Sequence, residues 1–211
     1  MNFKKNKKSK KWLKNHFKDF YIKKVQKNIN KFRSRSWFKL EEINKIYKIF
    51  NNDDITVIDL GSSPGGWSSF AASKIGNNGK VIACDILPMN PINKVNFYQG
   101  NICNSITLNK IFQILKKTKV QIIMSDISPN ISGIKEIDIP RIIHLNKITL
   151  ELCYSFLEHN GSFLVKTFQS QELVKYYNKI NSVFKEIKIS KPNASRSQSC
   201  EIYIVAKKYK N

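Results

Sequence analysis

Residues 57–70 read VIDLGSSPGGWSSF, an order that few chain conformations satisfy. Residues 55–60 set β-branched and apolar side chains next to one another instead of alternating them, the pattern of a parallel strand covered on both faces. Gly61, Gly65 and Gly66 then allow a sharp break, and the following WSSFAASKIG reads as a helix. A strand, a glycine-rich turn and a helix N-terminus together make a cradle for a nucleotide-like ligand.

The rest of the chain repeats that alternation. Strands are expected near 55–60, 80–84, 95–99, 120–125, 162–168, 183–189 and 202–206, with helices near 67–75, 105–117, 141–158 and 171–181. Ahead of them, Leu40, Ile43, Ile46 or Tyr47, and Phe50 form the apolar stripe of an amphipathic helix. The last two strands are joined by SKPNASRSQSC, too short for a crossover helix, so they should run antiparallel. The fold class is therefore α/β and Rossmann-like: a seven-stranded, mainly parallel sheet with an antiparallel last strand and helices on both faces. This architecture is associated with S-adenosylmethionine-dependent methyltransferases, whereas dinucleotide-binding oxidoreductases more often keep six parallel strands. The 211 residues suit one domain, with 1–30 as a basic, partly flexible N-terminal extension and 31–211 as a single methyltransferase domain.

Two clusters carry chemistry. VIACDILPM ends the second strand on Asp85, 24 residues beyond Gly61, where an acid accepts ribose hydroxyls; that fits NAD and S-adenosylmethionine equally. The first turn separates them: GSSPGGW is not GxGxxG, and Pro64 and Trp67 suit a diphosphate channel poorly, which favours an adenosyl cofactor. In the second cluster, Asp126 ends the fourth strand, Lys166 interrupts the apolar GSFLVKTF, and Glu201 opens the final strand at the same sheet edge. A buried lysine needs a carboxylate partner, so these residues form either a reactive group or an inward salt bridge without chemistry.

Charge narrows the partners. Lys and Arg number 37 against 15 Asp and Glu, a formal +22, which favours a polyanion through counterion release and long-range steering; an AT-rich coding bias toward Lys, Asn and Ile would produce the same excess. The basic head, KFRSRS at 31–36 and KPNASRSQS at 191–199 are the candidate RNA contacts. Cys84, Cys103, Cys153 and Cys200 are scattered without a CxxC pair or a His at ligand spacing, so no metal is expected and the thiols fit a reducing compartment. No membrane span is expected, and the chain reads as a cytoplasmic monomer.

The segments SRSWFKLEEI, VIDLGSSPGGWS, VIACDILPM, MSDISPNISG, DIPR, GSFLVKTFQ and KPNASRSQSCEIYIVA, spanning roughly 34–206, resemble in order and spacing the FtsJ-type large-subunit ribosomal RNA methyltransferases of bacteria. The resemblance implies S-adenosylmethionine-dependent 2′-O-methylation of a uridine ribose in 23S rRNA, on the large (50S) ribosomal subunit late in assembly. It places the family's catalytic tetrad on Lys39, Asp126, Lys166 and Glu201, and its cofactor positions on Gly61, Gly65, Trp67, Asp85, Asn101 and Asp126. One position departs: the family's QGD is QGN at 99–101, so Asn101 retains a carbonyl acceptor for an adenine amino group and loses the charge. In this reading Lys166 takes or relays the proton of the ribose hydroxyl, Lys39 and burial favour its neutral form, Asp126 holds the amine, and Glu201 supports the network or the substrate. Base-amine methylation would call for an Asn-Pro-Pro-Tyr-like segment where this chain has DISPN, and carbon methylation for a Pro-Cys nucleophile that is missing. An RNA-binding assembly factor with a vestigial pocket and a nicotinamide-dependent oxidoreductase are the rival classes.

Overall fold

The computed structural model describes residues 20–116, 118–196 and 198–210. The basic head, Trp12, His16 and Phe17 lie outside the described residues. Helices α1 (Phe20–Lys27), α2 (Ile29–Phe32) and α3 (Ser36–Tyr47) lead into β1 (Thr56–Leu60), α4 (Gly66–Ala72), β2 (Lys80–Asp85), β3 (Val95–Gln99) and α5 (Ser105–Leu115). Then follow β4 (Val120–Ser125), α6 (Lys135–Phe156), β5 (Leu157–Phe168), α7 (Leu173–Val183), β6 (Phe184–Ser190) and β7 (Glu201–Tyr209). The sheet order is β3-β2-β1-β4-β5-β7-β6. β7 pairs antiparallel with both β5 and β6, and the other strand pairs are parallel.

The period of two along each strand sorts side chains into two layers. Ile58, Ile82, Ile123 and Ile204 pack with residues of α5, α6 and α7 on one face. Val57, Val81, Met124, Leu164, Tyr203 and Val205 face α3 and α4 on the other. Polar residues at the same parity therefore belong to the second layer: Asp59 beside Val57, Lys166 beside Leu164, and Glu201 beside Tyr203.

Two elements begin earlier than their sequence patterns suggest. α6 starts at Lys135, not near 141, with Pro140 inside it. Asp138 in its first turn accepts the Ser132 and Gly133 N–H groups, both at 2.9 Å, which secures the helix start ahead of the proline. β5 starts at Leu157, paired with Val120, and a register shift between Val120 and Ile122 precedes the regular ladder from Ser162 onward.

The described part of the N-terminal extension is packed against the domain. Ile22 is buried, and the Tyr21 ring lies 5.3 Å from that of Phe38. The Tyr21 hydroxyl donates to Glu42 Oε1 at 2.9 Å. Glu42 also accepts the N–H groups of Asn193 (2.6 Å) and Ala194 (3.1 Å), while Arg35 Nε and Nη2 donate to the Ala194 carbonyl at 3.2 and 2.5 Å. One carboxylate thus clasps α1, α3 and the β6–β7 connection. Glu42→Ala should lower the unfolding free energy by about 1–2 kcal/mol; an unchanged urea midpoint and slope would remove the clasp from the list of structural supports.

Candidate active site

The site lies at the carboxyl ends of β2, β1, β4 and β5, where β1 breaks into the glycine turn. Gly61 has φ +74° and Gly65 φ +107°, both in the left-handed region that suits glycine. A Cβ on Gly61 would stand 2.7 Å from Ile127 Cα, and one on Gly65 would meet Ile92 Cδ1 at 2.8 Å, Arg33 Cδ at 3.0 Å and Met89 Sδ at 3.1 Å. The chain itself fills the space that these glycines leave, so any ligand contact they make is through main-chain groups. Gly65 caps α4, and no side chain caps the helix.

Trp67 is buried, and its indole N–H donates to Ser36 O at 3.0 Å, joining α4 to α3. Its side chain is therefore a packing element backing Tyr203, 5.8 Å away between ring centroids. Asp85 anchors the turns on either side of it: Oδ2 accepts Ser63 N–H at 2.8 Å and Oδ1 accepts Leu87 N–H at 2.9 Å. Each oxygen keeps a lone pair for a further donor. Asn101 Oδ1 accepts Cys103 N–H at 2.9 Å, so the amide that replaces the family acid already holds a local turn.

The sequence tetrad is brought together with one addition. Lys166 lies directly opposite Tyr203 in the β5–β7 ladder. Its ammonium is 3.1 Å from Asp126 Oδ1 and donates to the Asp126 carbonyl at 2.5 Å. Lys39 reaches down from α3 to within 2.6 Å of Glu201 Oε1 and donates to the Tyr203 hydroxyl at 3.1 Å. Tyr203 in turn donates to Asp126 Oδ1 at 3.1 Å. Glu201, Lys39, Tyr203, Asp126 and Lys166 form a continuous chain, and the two lysines are 8% and 7% exposed. Each lysine is paired with its own carboxylate, so they alternate with the acids instead of facing one another. The signal for Tyr203 was present in EIYIVA: it lies two positions from Glu201, hence on the same strand face.

Burial alone would raise the Glu201 carboxyl, but Lys39, with Ser195 and Lys166 acting in the same direction, holds it below its ordinary range. Burial, reinforced by Asp126 and Glu201, pushes the Tyr203 phenol well above its usual value and keeps it a donor. Beneath the turn, Asp59 is fully buried; Oδ2 accepts the Ser68 hydroxyl at 2.5 Å, and Oδ1 has no hydrogen-bond partner among the described residues. Burial pushes Asp59 from 3.8 up to about 7, with Ser68 opposing and Asp126 and Asp85 adding repulsion. In the sequence Asp59 is marked only as an acid inside an apolar strand.

Among the described residues, no group of three His, Cys, Asp or Glu is placed to hold a metal ion, and no helix is long and apolar enough to cross a membrane. All four cysteines are free. The arginines of 31–36 are engaged internally: Arg33 Nη1 and Nη2 donate to the carbonyls of Asn90 (2.7 Å) and Pro91 (2.6 Å), and Arg35 to that of Ala194. These internal bonds use part of each guanidinium's set of donors, and Lys23, Lys27 and Lys31 are exposed beside them.

Asp59 also sets a pH dependence. Between about pH 4 and 7 the unfolded chain loses this proton while the folded chain keeps it, so the site's contribution to stability is full below pH 4 and declines as pH rises through about 7. Melting temperatures should therefore show Asp59→Asn gaining on the native chain across that window; a difference independent of pH would contradict the raised proton affinity.

The model of the FtsJ-like methyltransferase family matches residues 32–209. The chain is 48% identical over 203 residues to the ribosomal RNA large subunit methyltransferase E of Buchnera aphidicola subsp. Schizaphis graminum, covering 96% of this chain and 97% of that one. The protein of the same name from Blochmanniella pennsylvanica is 48% identical over 200 residues, with 94% of each chain covered. Among solved structures, a ribosomal RNA methyltransferase of Plasmodium falciparum superposes with a TM-score of 0.75 at 25% identity, covering 84% of this chain and 98% of that one. Human methyltransferase-like protein 13, solved with SAH, shares the fold at a TM-score of 0.54 and 12% identity, over 75% and 73% of the two chains. A seven-stranded sheet with a reversed β7, a glycine turn after β1 and a matched sequence over nearly the whole chain converge on one assignment: this chain is a methyltransferase and belongs to the FtsJ-like methyltransferase family.

Proposed function

We propose that the chain transfers a methyl group from S-adenosylmethionine to the ribose 2′-oxygen of a uridine in 23S rRNA, acting in the cytoplasm as a monomer on the large ribosomal subunit late in assembly. The relatives named for large-subunit ribosomal RNA support the substrate class. The observation that carries the reaction type is the buried chain from Glu201 through Lys39, Tyr203 and Asp126 to Lys166, beside the glycine turn.

The pocket suits a cationic donor. Asp85 and Asp126 place carboxylates around the turn of an otherwise basic chain, above the buried Asp59. S-adenosylmethionine supplies a methyl on a positively charged sulfonium, which needs no metal or redox partner. Asp85 would hold the ribose hydroxyls through its free lone pairs, Asn101 the adenine end, and Asp126 with the main chain of Gly61, Gly65 and Trp67 the amino-acid end. Ile86 and Leu87, exposed beside Asp85, offer apolar surface for a purine.

A ribose hydroxyl is a weak nucleophile until its proton is removed. In its neutral form, Lys166 takes that proton on Nζ. The ammonium so formed meets the Asp126 carboxylate and carbonyl, which already hold this nitrogen. Tyr203 fixes Asp126 from the other side, and Lys39 with Glu201 fixes Tyr203. The substrate oxygen is thereby oriented and deprotonated by groups that do not reorganise.

The test is radiolabel transfer from S-adenosylmethionine to undermethylated large subunits, small subunits and free rRNA, followed by nuclease mapping. Label on a uridine 2′-oxygen of the large subunit is expected; label on a nucleobase, or none, would overturn the reading. Lys166→Ala should lower turnover by about 10²–10⁴-fold while calorimetry finds cofactor affinity within a few fold of native. Tyr203→Phe should cause a smaller loss of turnover than Lys166→Ala, with cofactor affinity again preserved; native turnover in Tyr203→Phe would show that the hydroxyl bridge is dispensable.

A further inference from the structure

The loop between β2 and β3 passes over the glycine turn, and its two halves are held differently. Its first half is fixed close to the strand ends: Asp85 accepts Leu87 N–H at 2.9 Å, Ser63 donates to Pro88 O at 2.9 Å, and Gln99 donates to Ile86 O at 3.0 Å. Its outer half, Asn90 and Pro91, is held by Arg33, whose two terminal nitrogens donate to successive carbonyls at 2.7 and 2.6 Å. Met89 and Ile92, on either side of those carbonyls, pack so tightly on Gly65 that a Cβ there would lie within 3.1 Å of both.

Arg33 is also fixed at its root. It closes α2 with φ +55°, a left-handed conformation that a non-glycine residue adopts at a cost, and its N–H donates to Ile29 O at 2.9 Å. The aliphatic stem then runs past Gly65, where a Cβ would stand 3.0 Å from Arg33 Cδ. The planar guanidinium presents two separate nitrogens in a fixed fork, one to each carbonyl; a lysine offers a single nitrogen on a flexible stem and must share it between them.

We infer that Arg33, in a segment whose charge suggests phosphate binding, is instead a positioning residue for the cofactor, strapping the outer half of the β2–β3 loop over the glycine turn. This rests on the cofactor placement proposed above. The strap ties the basic α1–α2 segment to the donor pocket, so loosening it opens the pocket without removing an RNA contact. Its signature is a change in donor binding with chemistry and RNA affinity preserved.

The experiment compares full-length native chain, Arg33→Lys, Arg33→Ala and Asp85→Ala. Calorimetry measures S-adenosylmethionine binding, titration of a large-subunit rRNA fragment over a salt series measures RNA binding, and steady-state kinetics separates KM for the donor from kcat. Arg33→Ala, which removes both bonds, should raise the donor Kd and KM by about tenfold, and Arg33→Lys, which keeps the charge but loses the rigid fork, by a smaller factor. Saturated kcat, RNA affinity and salt slope should stay within about twofold of native, and the melting temperature within about 4 °C. The inference is overturned if donor affinity is native in both variants. A fall in RNA affinity and salt slope in Arg33→Ala, restored in Arg33→Lys, would identify a phosphate contact instead. Asp85→Ala separates the two readings: loss of donor binding there with native binding in the Arg33 variants overturns the strap alone, while native binding in Asp85→Ala overturns the cofactor placement and the strap together.

Discussion

Two ammonium groups sit almost wholly out of water between a helix and a sheet, and each is tolerable only because a carboxylate and a hydrogen-bond acceptor meet it there. Much of the architecture serves that pairing. The reversed β7 puts Tyr203 opposite Lys166 and sets Glu201 two residues away on the same face, an arrangement that requires the antiparallel ladder. α3 completes it by packing Leu40 and Ile43 into the same layer, which fixes where Lys39 can reach. Removing any one member leaves a buried charge or donor without its partner, so the chain acts as a unit.

A second contrast runs through the molecule. The chain carries a large positive excess, yet acids gather around the glycine turn: Asp85 and Asp126 flank it, and Asp59 lies buried beneath, its carboxyl raised first by burial and then by those two. Under the proposed function, the basic surface outside and Asp85 and Asp126 at the turn would serve different partners, a polyanion and a small cation. The arginines nearest the site tie loops to helices through main-chain carbonyls. Exposed lysines on α1 and α2 are left to face solvent.

Part of this was legible in the residues alone because it depends on local rules. Unbroken apolar runs announced parallel strands, the short 190–200 connection announced the reversed last strand, and polar residues interrupting those runs announced Asp126, Lys166 and Glu201. Lys39 came only through the family resemblance, since a lysine on an amphipathic helix carries no mark of burial. Tyr203 and Asp59 were written in strand parity and in an acid within an apolar run, but their hydrogen-bond partners were not. The early start of α6 depended on Asp138 reaching backward to Ser132 and Gly133, an effect that helix periodicity does not encode.

The sequence by itself determined the order of strands and helices, the reversed β7 and the strand face that Glu201 and Tyr203 share, because side-chain alternation and connection length are properties of neighbouring residues. Only the tertiary structure decided which charges meet. Two lysines and two carboxylates admit several pairings, and the placement of α3 against the β5–β7 ladder selected one, with Tyr203 between them. The same holds for Arg33 and Arg35: composition counts them as free cations, and packing assigns them to carbonyls 57 to 159 residues away.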